Sequence, residues 1–142
     1  MKKRLLSMFL VIVTLILLTL PAAAGGEATP FYNNTVKTTT NFGISSSGVA
    51  TVSLSYTGIR GVTSGATITT YLEKKILGLF WTRVDLGNAN DEWVDTSESY
   101  TYATSHSVQL EGKGTYRASV IYEVSGSGGA TDVVPYEMEK VY

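Results

Sequence analysis

The chain holds one histidine, His106, set between Ser105 and Ser107. An imidazole beside a hydroxyl is the minimum for nucleophilic catalysis, because the histidine takes the proton as the oxygen attacks. No serine lies in the Gly-x-Ser-x-Gly turn that presents such a nucleophile. His106 instead shares strand parity with Val108 and Leu110, which predicts a partly buried, hydrogen-bonded side chain. Asp85, Asn88, Asn90, Asp91, Glu92 and Asp95 make an oxygen-rich stretch of the kind calcium accepts. It lacks the glycine and closing glutamate of an EF-hand loop and reads as a solvated acidic loop. Twelve carboxylates leave room for an acid pair of the glycosidase type, but spacing along the chain does not set two at the needed separation. No catalytic residue, metal site or cofactor is expected.

Two further sets carry binding chemistry. Tyr71, Trp93, Tyr100 and Tyr102 are rings whose burial the pattern leaves open. Such rings can stack on the faces of sugars, although aromatics are also ordinary strand residues. Lys74 and Lys75 precede Ile76, Leu77, Leu79 and Phe80 at a predicted hairpin tip. On one reading the lysines steer and the apolar residues enter a membrane or a partner. On the other, Leu72 and Trp81 belong to the core while the lysines charge an edge hairpin. The charge balance below favours the second.

The elements that must position these residues are strands. From Phe42 onward apolar residues recur every second position, as in Ala50, Val52, Leu54, Tyr56 and again in Tyr116, Ala118, Val120, Tyr122. Strands are expected near 42–45, 50–56, 66–73, 79–85, 97–103, 107–110, 116–123 and 133–141, with 86–95 polar and irregular. Glycine-rich turns separate them at the spacing of a β-sandwich. Pro135 suits an edge strand, since it cannot donate to a ladder. The predicted core comprises Ile44, Val52, Leu54, Ile68, Leu72, Trp81, Val108, Leu110, Tyr116, Val120 and Met138. Tyr116 follows the Glu111–Gly114 turn, which predicts a tyrosine corner closing a Greek-key sandwich through its hydroxyl.

Residues 1–24 speak to destination. Lys2, Lys3 and Arg4 start the chain, Leu5–Leu20 is almost wholly apolar, and Pro21 leads into Ala22-Ala23-Ala24. These are the three parts of a secretory signal peptide, with cleavage expected near Ala24. The apolar run is shorter than the roughly 18 to 20 residues of a spanning helix. Residues 25–41 read as an N-terminal tail leading into a first strand, and 42–142 as the sandwich domain. There is no cysteine, which excludes thiol chemistry, zinc–thiolate sites and disulfide staples. Beyond Ala24 stand eight lysines and arginines against twelve carboxylates, a net −4. That balance excludes a phosphate-neutralising nucleic-acid face and disfavours general adsorption to anionic lipid.

Leu72-Glu73-Lys74-Lys75, Trp81, Gly114-Thr115-Tyr116-Arg117 and the terminal strand around Glu137 together resemble a group of small, uncharacterised secreted proteins of Gram-positive bacteria. The resemblance spans about half of the chain beyond the signal. It implies one immunoglobulin-like β-sandwich after a signal peptide, and it implies no reaction and no functional residues. The expectation is therefore an all-β, immunoglobulin-like Greek-key sandwich of seven or eight antiparallel strands, secreted and monomeric. It acts as a non-enzymatic module binding an extracellular or cell-surface ligand. The alternatives are a carbohydrate-binding module and a membrane-active or antagonistic secreted protein.

Overall fold

A computed structural model describes residues 32–142. The signal-peptide expectation for 1–24, and the start of the expected tail, lie outside the described residues. The described chain forms eight strands in two sheets. β1 (Thr35–Ile44), β2 (Val49–Gly58) and β6 (Thr101–Gln109) make one sheet in the order β1-β2-β6. β3 (Thr63–Ile76), β4 (Phe80–Arg83), β5 (Trp93–Ser97), β7 (Thr115–Gly126) and β8 (Asp132–Val141) make the other, in the order β4-β3-β7-β8. β5 pairs with the same edge of β3, beyond β4. Every pairing is antiparallel, and all ladder partners lie within the described residues. The chain changes sheet between β2 and β3, between β5 and β6, and between β6 and β7.

Alternation decides which side chains meet between the sheets. Ala50, Val52, Leu54 and Tyr56 of β2 face Ile68 and Leu72 of β3 and Tyr116, Ala118, Val120, Tyr122 and Val124 of β7. All are buried, and fully burying each large side chain contributes about 1.5–3 kcal/mol. Ile44, Val108 and Met138 pack half-buried against this centre. Trp81 is a correction to the expected core. Ile76 pairs with Phe80 and Lys75 with Trp81, so Trp81 shares the outward parity of Lys75. The three-residue connection sets that register, and a slip of one residue turns a whole strand over.

Polar bridges tie the layers together. The Tyr122 hydroxyl donates to the Thr39 carbonyl at 2.8 Å and lies 2.9 Å from the Thr40 hydroxyl. Burial raises the Tyr122 pKa, which keeps that hydroxyl protonated. Asp132, at the start of β8, accepts from the Asn33 and Asn34 amides and the Thr35 hydroxyl at 2.7–2.8 Å. The chain thus enters the sandwich clamped at one end. The predicted corner is present: the Tyr116 hydroxyl reaches back to the Gly112 carbonyl at 2.7 Å and the Glu111 carbonyl at 3.2 Å. Pro135 lies on the edge strand β8, as its missing donor requires.

At the other end the β1–β2 turn, the 111–114 turn and the C-terminus converge. Gly48 sits there at φ +83, and a side chain would strike the Tyr142 ring, whose nearest atoms lie 2.6–2.8 Å from the Cβ position. Only glycine meets both the conformation and the close approach.

Candidate functional site

The fold separates the candidate sites that the sequence offered. His106 projects inward from β6. Its Nε2 lies 2.7 Å from Asp95 Oδ2, and its ring stacks on Trp93 at 4.8 Å between centroids and 16° between planes. The Tyr102 hydroxyl donates to Asp95 Oδ1 at 3.2 Å. Ser105 and Ser107 point the other way, where their hydroxyls lie within hydrogen-bond distance of those of Ser53 and Thr51. The His106–Asp95 contact joins β5 to the facing sheet.

Asp95 also leaves the predicted acidic loop, because it pairs with Ile68 at inward parity. The remaining oxygens serve the loop itself. Asp85 accepts from Gly87, Asp91 from Leu86, and Asn88 from Asn90 and Glu92. Among the described residues no three His, Asp or Glu side chains group as metal ligands.

The four candidate rings do not share a surface. Tyr71 lies on the outer face of β3 beneath the Arg83 guanidinium, 3.4 Å from its centroid. Trp93 and Tyr102 lie between the sheets. Tyr100 stands in the β5–β6 turn near Arg60. A sugar ring stacked on one of them reaches none of the others at the same plane.

The residues of the 74–80 set do come together. β3 and β4 form a hairpin whose last residues are exposed. Lys74, Lys75 and Ile76 end β3; Leu77, Gly78 and Leu79 form the connection; Phe80 begins β4. Leu77 is 86 % exposed, Leu79 73 %, Phe80 64 % and Ile76 40 %. The turn has a primed geometry. Leu77 stands at φ +52 and Gly78 at φ +70, and the Leu79 amide donates to the Ile76 carbonyl at 3.0 Å. Such turns match the right-handed twist of hairpin strands and favour Asn-Gly or Gly-Gly. Leucine at the first position meets neither the backbone preference nor the preference for burial.

The flanks of this tip carry cations. Lys140 pairs with Tyr116, which pairs with Lys74. Arg83 and Arg117 flank Glu73 on β3. Lys113 lies over the Tyr142 ring. Six of the eight cations in residues 32–142 therefore sit at the tip end, against Glu73, Asp85, Asp91, Glu111, Glu137 and Glu139. Glu73 is held by Arg117, whose Nε and Nη2 donate to it at 2.9 and 2.6 Å. Partial burial works to lower the Arg117 pKa, but Glu73, aided by Glu137 at 3.3 Å from Nη1, outweighs it and raises the pKa. Among the described residues no carboxylate lies within 4.0 Å of any of the four lysines. Beside the hairpin runs a groove of 560 Å³ floored by Ile76, Val84, Leu86 and Val108.

Several residues of this end were not singled out from the sequence. Trp81 lies between Lys75, 5.1 Å from its centroid, and Arg117 at 4.4 Å. The outward parity of Glu73, Lys75 and Arg117 was readable, but their pairing needed the β3–β4 register. Lys113 and Lys140 reach the tip end only through long-range strand pairing. No family model, no curated protein and no solved structure matches the chain, so the site stands on its geometry.

Proposed function

We propose that the chain is a secreted, non-enzymatic interaction module of the immunoglobulin-like type whose contact element is the β3–β4 tip. The immunoglobulin-like assignment is supported by the facing orders β1-β2-β6 and β4-β3-β7-β8 and by the Tyr116 corner. Secretion is supported by the composition of residues 1–24. The observation that carries the binding role is Leu77, a large apolar side chain held outward on a left-handed backbone. Left-handed conformation costs an L-residue roughly 1–2 kcal/mol, and exposure returns nothing to folding. Strain of this kind persists at sites that do work other than folding. The separation of Tyr71, Trp93, Tyr100 and Tyr102 gives a carbohydrate-stacking role no comparable support.

The test is retention on washed bacterial cells. The fluorescently labelled Gly25–Tyr142 chain, which contains all eight strands and the whole core, is compared with its L77N/L79S/F80S variant. Retention of the parent and loss of the variant, with matching near-ultraviolet circular dichroism, is the expected result. Equal retention of both contradicts the assignment.

A further inference from the structure

We infer that the tip's partner is the surface of an anionic phospholipid bilayer, into which Leu77, Leu79 and Phe80 insert while lysines hold the headgroups. This rests on the reading of the tip as the contact element and names what that element meets. Two features of the same end select this partner. The first is the wedge: three large apolar side chains on one short turn, whose Leu79 amide is already bonded to the Ile76 carbonyl. Entering a lipid interface therefore gains apolar burial while that donor stays satisfied. A soluble polyanion, such as an anionic wall polymer, offers the leucines and Phe80 nothing.

The second feature is charge. The chain beyond Ala24 is acidic overall, which disfavours general adsorption to anionic lipid. The distribution changes the local balance. Lys37 and Arg60 are the only cations of residues 32–142 away from the tip end, and five carboxylates stand with them: Glu92, Asp95, Glu98, Glu123 and Asp132. The tip end carries six cations against six carboxylates, two of which, Glu73 and Glu137, are taken up by Arg117. A bilayer approached tip-first meets a charge-balanced end with four lysines that no carboxylate pairs, while the excess negative charge stands elsewhere on the domain. Lys74, whose Nζ also donates to the Glu111 carbonyl at 2.7 Å, and Lys75, Lys113 and Lys140 have no carboxylate within 4.0 Å and keep donors for headgroup phosphates.

The experiment is co-sedimentation of the Gly25–Tyr142 chain with extruded vesicles of phosphatidylglycerol mixed with phosphatidylcholine, and of phosphatidylcholine alone. It is run at about 0.1 M salt, where headgroup charge still acts over about 10 Å. Three proteins are compared: the parent, L77N/L79S/F80S and K74Q/K75Q/K113Q/K140Q, each checked for native near-ultraviolet dichroism. The parent is expected to partition at least about tenfold better onto the anionic vesicles. The tip variant loses at least that factor, and the lysine variant loses about fivefold per lysine in contact.

Absent sedimentation of the parent, or sedimentation equal to that of the tip variant, overturns the lipid assignment. If tip-dependent retention on cells persists in that case, the contact element stands and only its partner is wrong. If the parent ignores vesicles but forms a dimer by sedimentation velocity that the tip variant does not, the tip's occupant is a second copy, and the lipid assignment falls.

Discussion

Lys75 and Trp81 face each other across the β3–β4 hairpin, with the ammonium 5.1 Å from the ring centroid. The hairpin register turns this largest side chain outward, where Arg117 lies over its ring as well. The pair braces the base of the tip, so that Leu77, Leu79 and Phe80 project from an ordered platform. Cation–π contacts of this exposed kind contribute about 0.5–1 kcal/mol each.

Asp132 governs how the chain enters the sandwich, and it gives the protein an acid sensitivity. Burial pushes its carboxyl pKa up, but hydrogen bonds from Asn33, Asn34 and Thr35 outweigh this and hold it below its ordinary 3.8. A carboxylate with a lowered pKa contributes stability above its unfolded value and loses it as pH falls through the folded one. Unfolding free energy should therefore decline below about pH 4, where the unfolded carboxylate begins to protonate. Asp132→Asn should cost about 2–3 kcal/mol at neutral pH, because buried donors lose a charged acceptor. Its urea midpoint should also vary less with acid. A variant whose acid profile matches the parent's would show that the clamp is not the group responsible.

The Tyr116 corner is open to a single-atom test. Tyr116→Phe keeps the ring in the core and removes the bonds to Gly112 and Glu111. The expected loss is about 0.5–1.5 kcal/mol, seen as a lower urea midpoint at constant m-value. An unchanged midpoint would reduce Tyr116 to an ordinary core aromatic.

His106→Ala separates attachment from catalysis. The variant removes the imidazole that joins Asp95 and stacks on Trp93. Amide exchange across Trp93–Ser97 should accelerate, since β5 then keeps only its ladder to β3 and the weaker Tyr102–Asp95 bond. Retention on cells should be unaffected, because the tip lies on the neighbouring hairpin. Loss of cell retention with intact strand protection would instead give His106 a direct functional role.

Much of the fold was legible because core strands alternate apolar and hydroxyl residues, as β2 does from Ala50 to Tyr56. The misses have physical reasons. β1 starts at Thr35 rather than Phe42 because its inward positions are Thr38 and Thr40, whose hydroxyls meet Tyr136 and Tyr122. A polar strand that satisfies tyrosines across the sandwich has no apolar period to read. β5 was hidden likewise, since its inward Asp95 is matched by His106, which only the fold brings near. The tip was identified as a unit from Lys74 to Phe80, but its exposure was not. Whether Ile76–Phe80 is covered depends on tertiary packing, and Trp81's side on a register set by three connecting residues.

Leu77→Asn puts the central claim to the most direct test, because one substitution should move two quantities in opposite directions. Asparagine tolerates the left-handed backbone and the solvent that leucine meets at this turn. The unfolding free energy of the Gly25–Tyr142 chain should rise by about 0.5–1 kcal/mol. Retention on bacterial cells, measured in parallel, should fall several-fold. A variant that is more stable and equally retained would contradict the account, because Leu77 would then be a strained residue without a binding role.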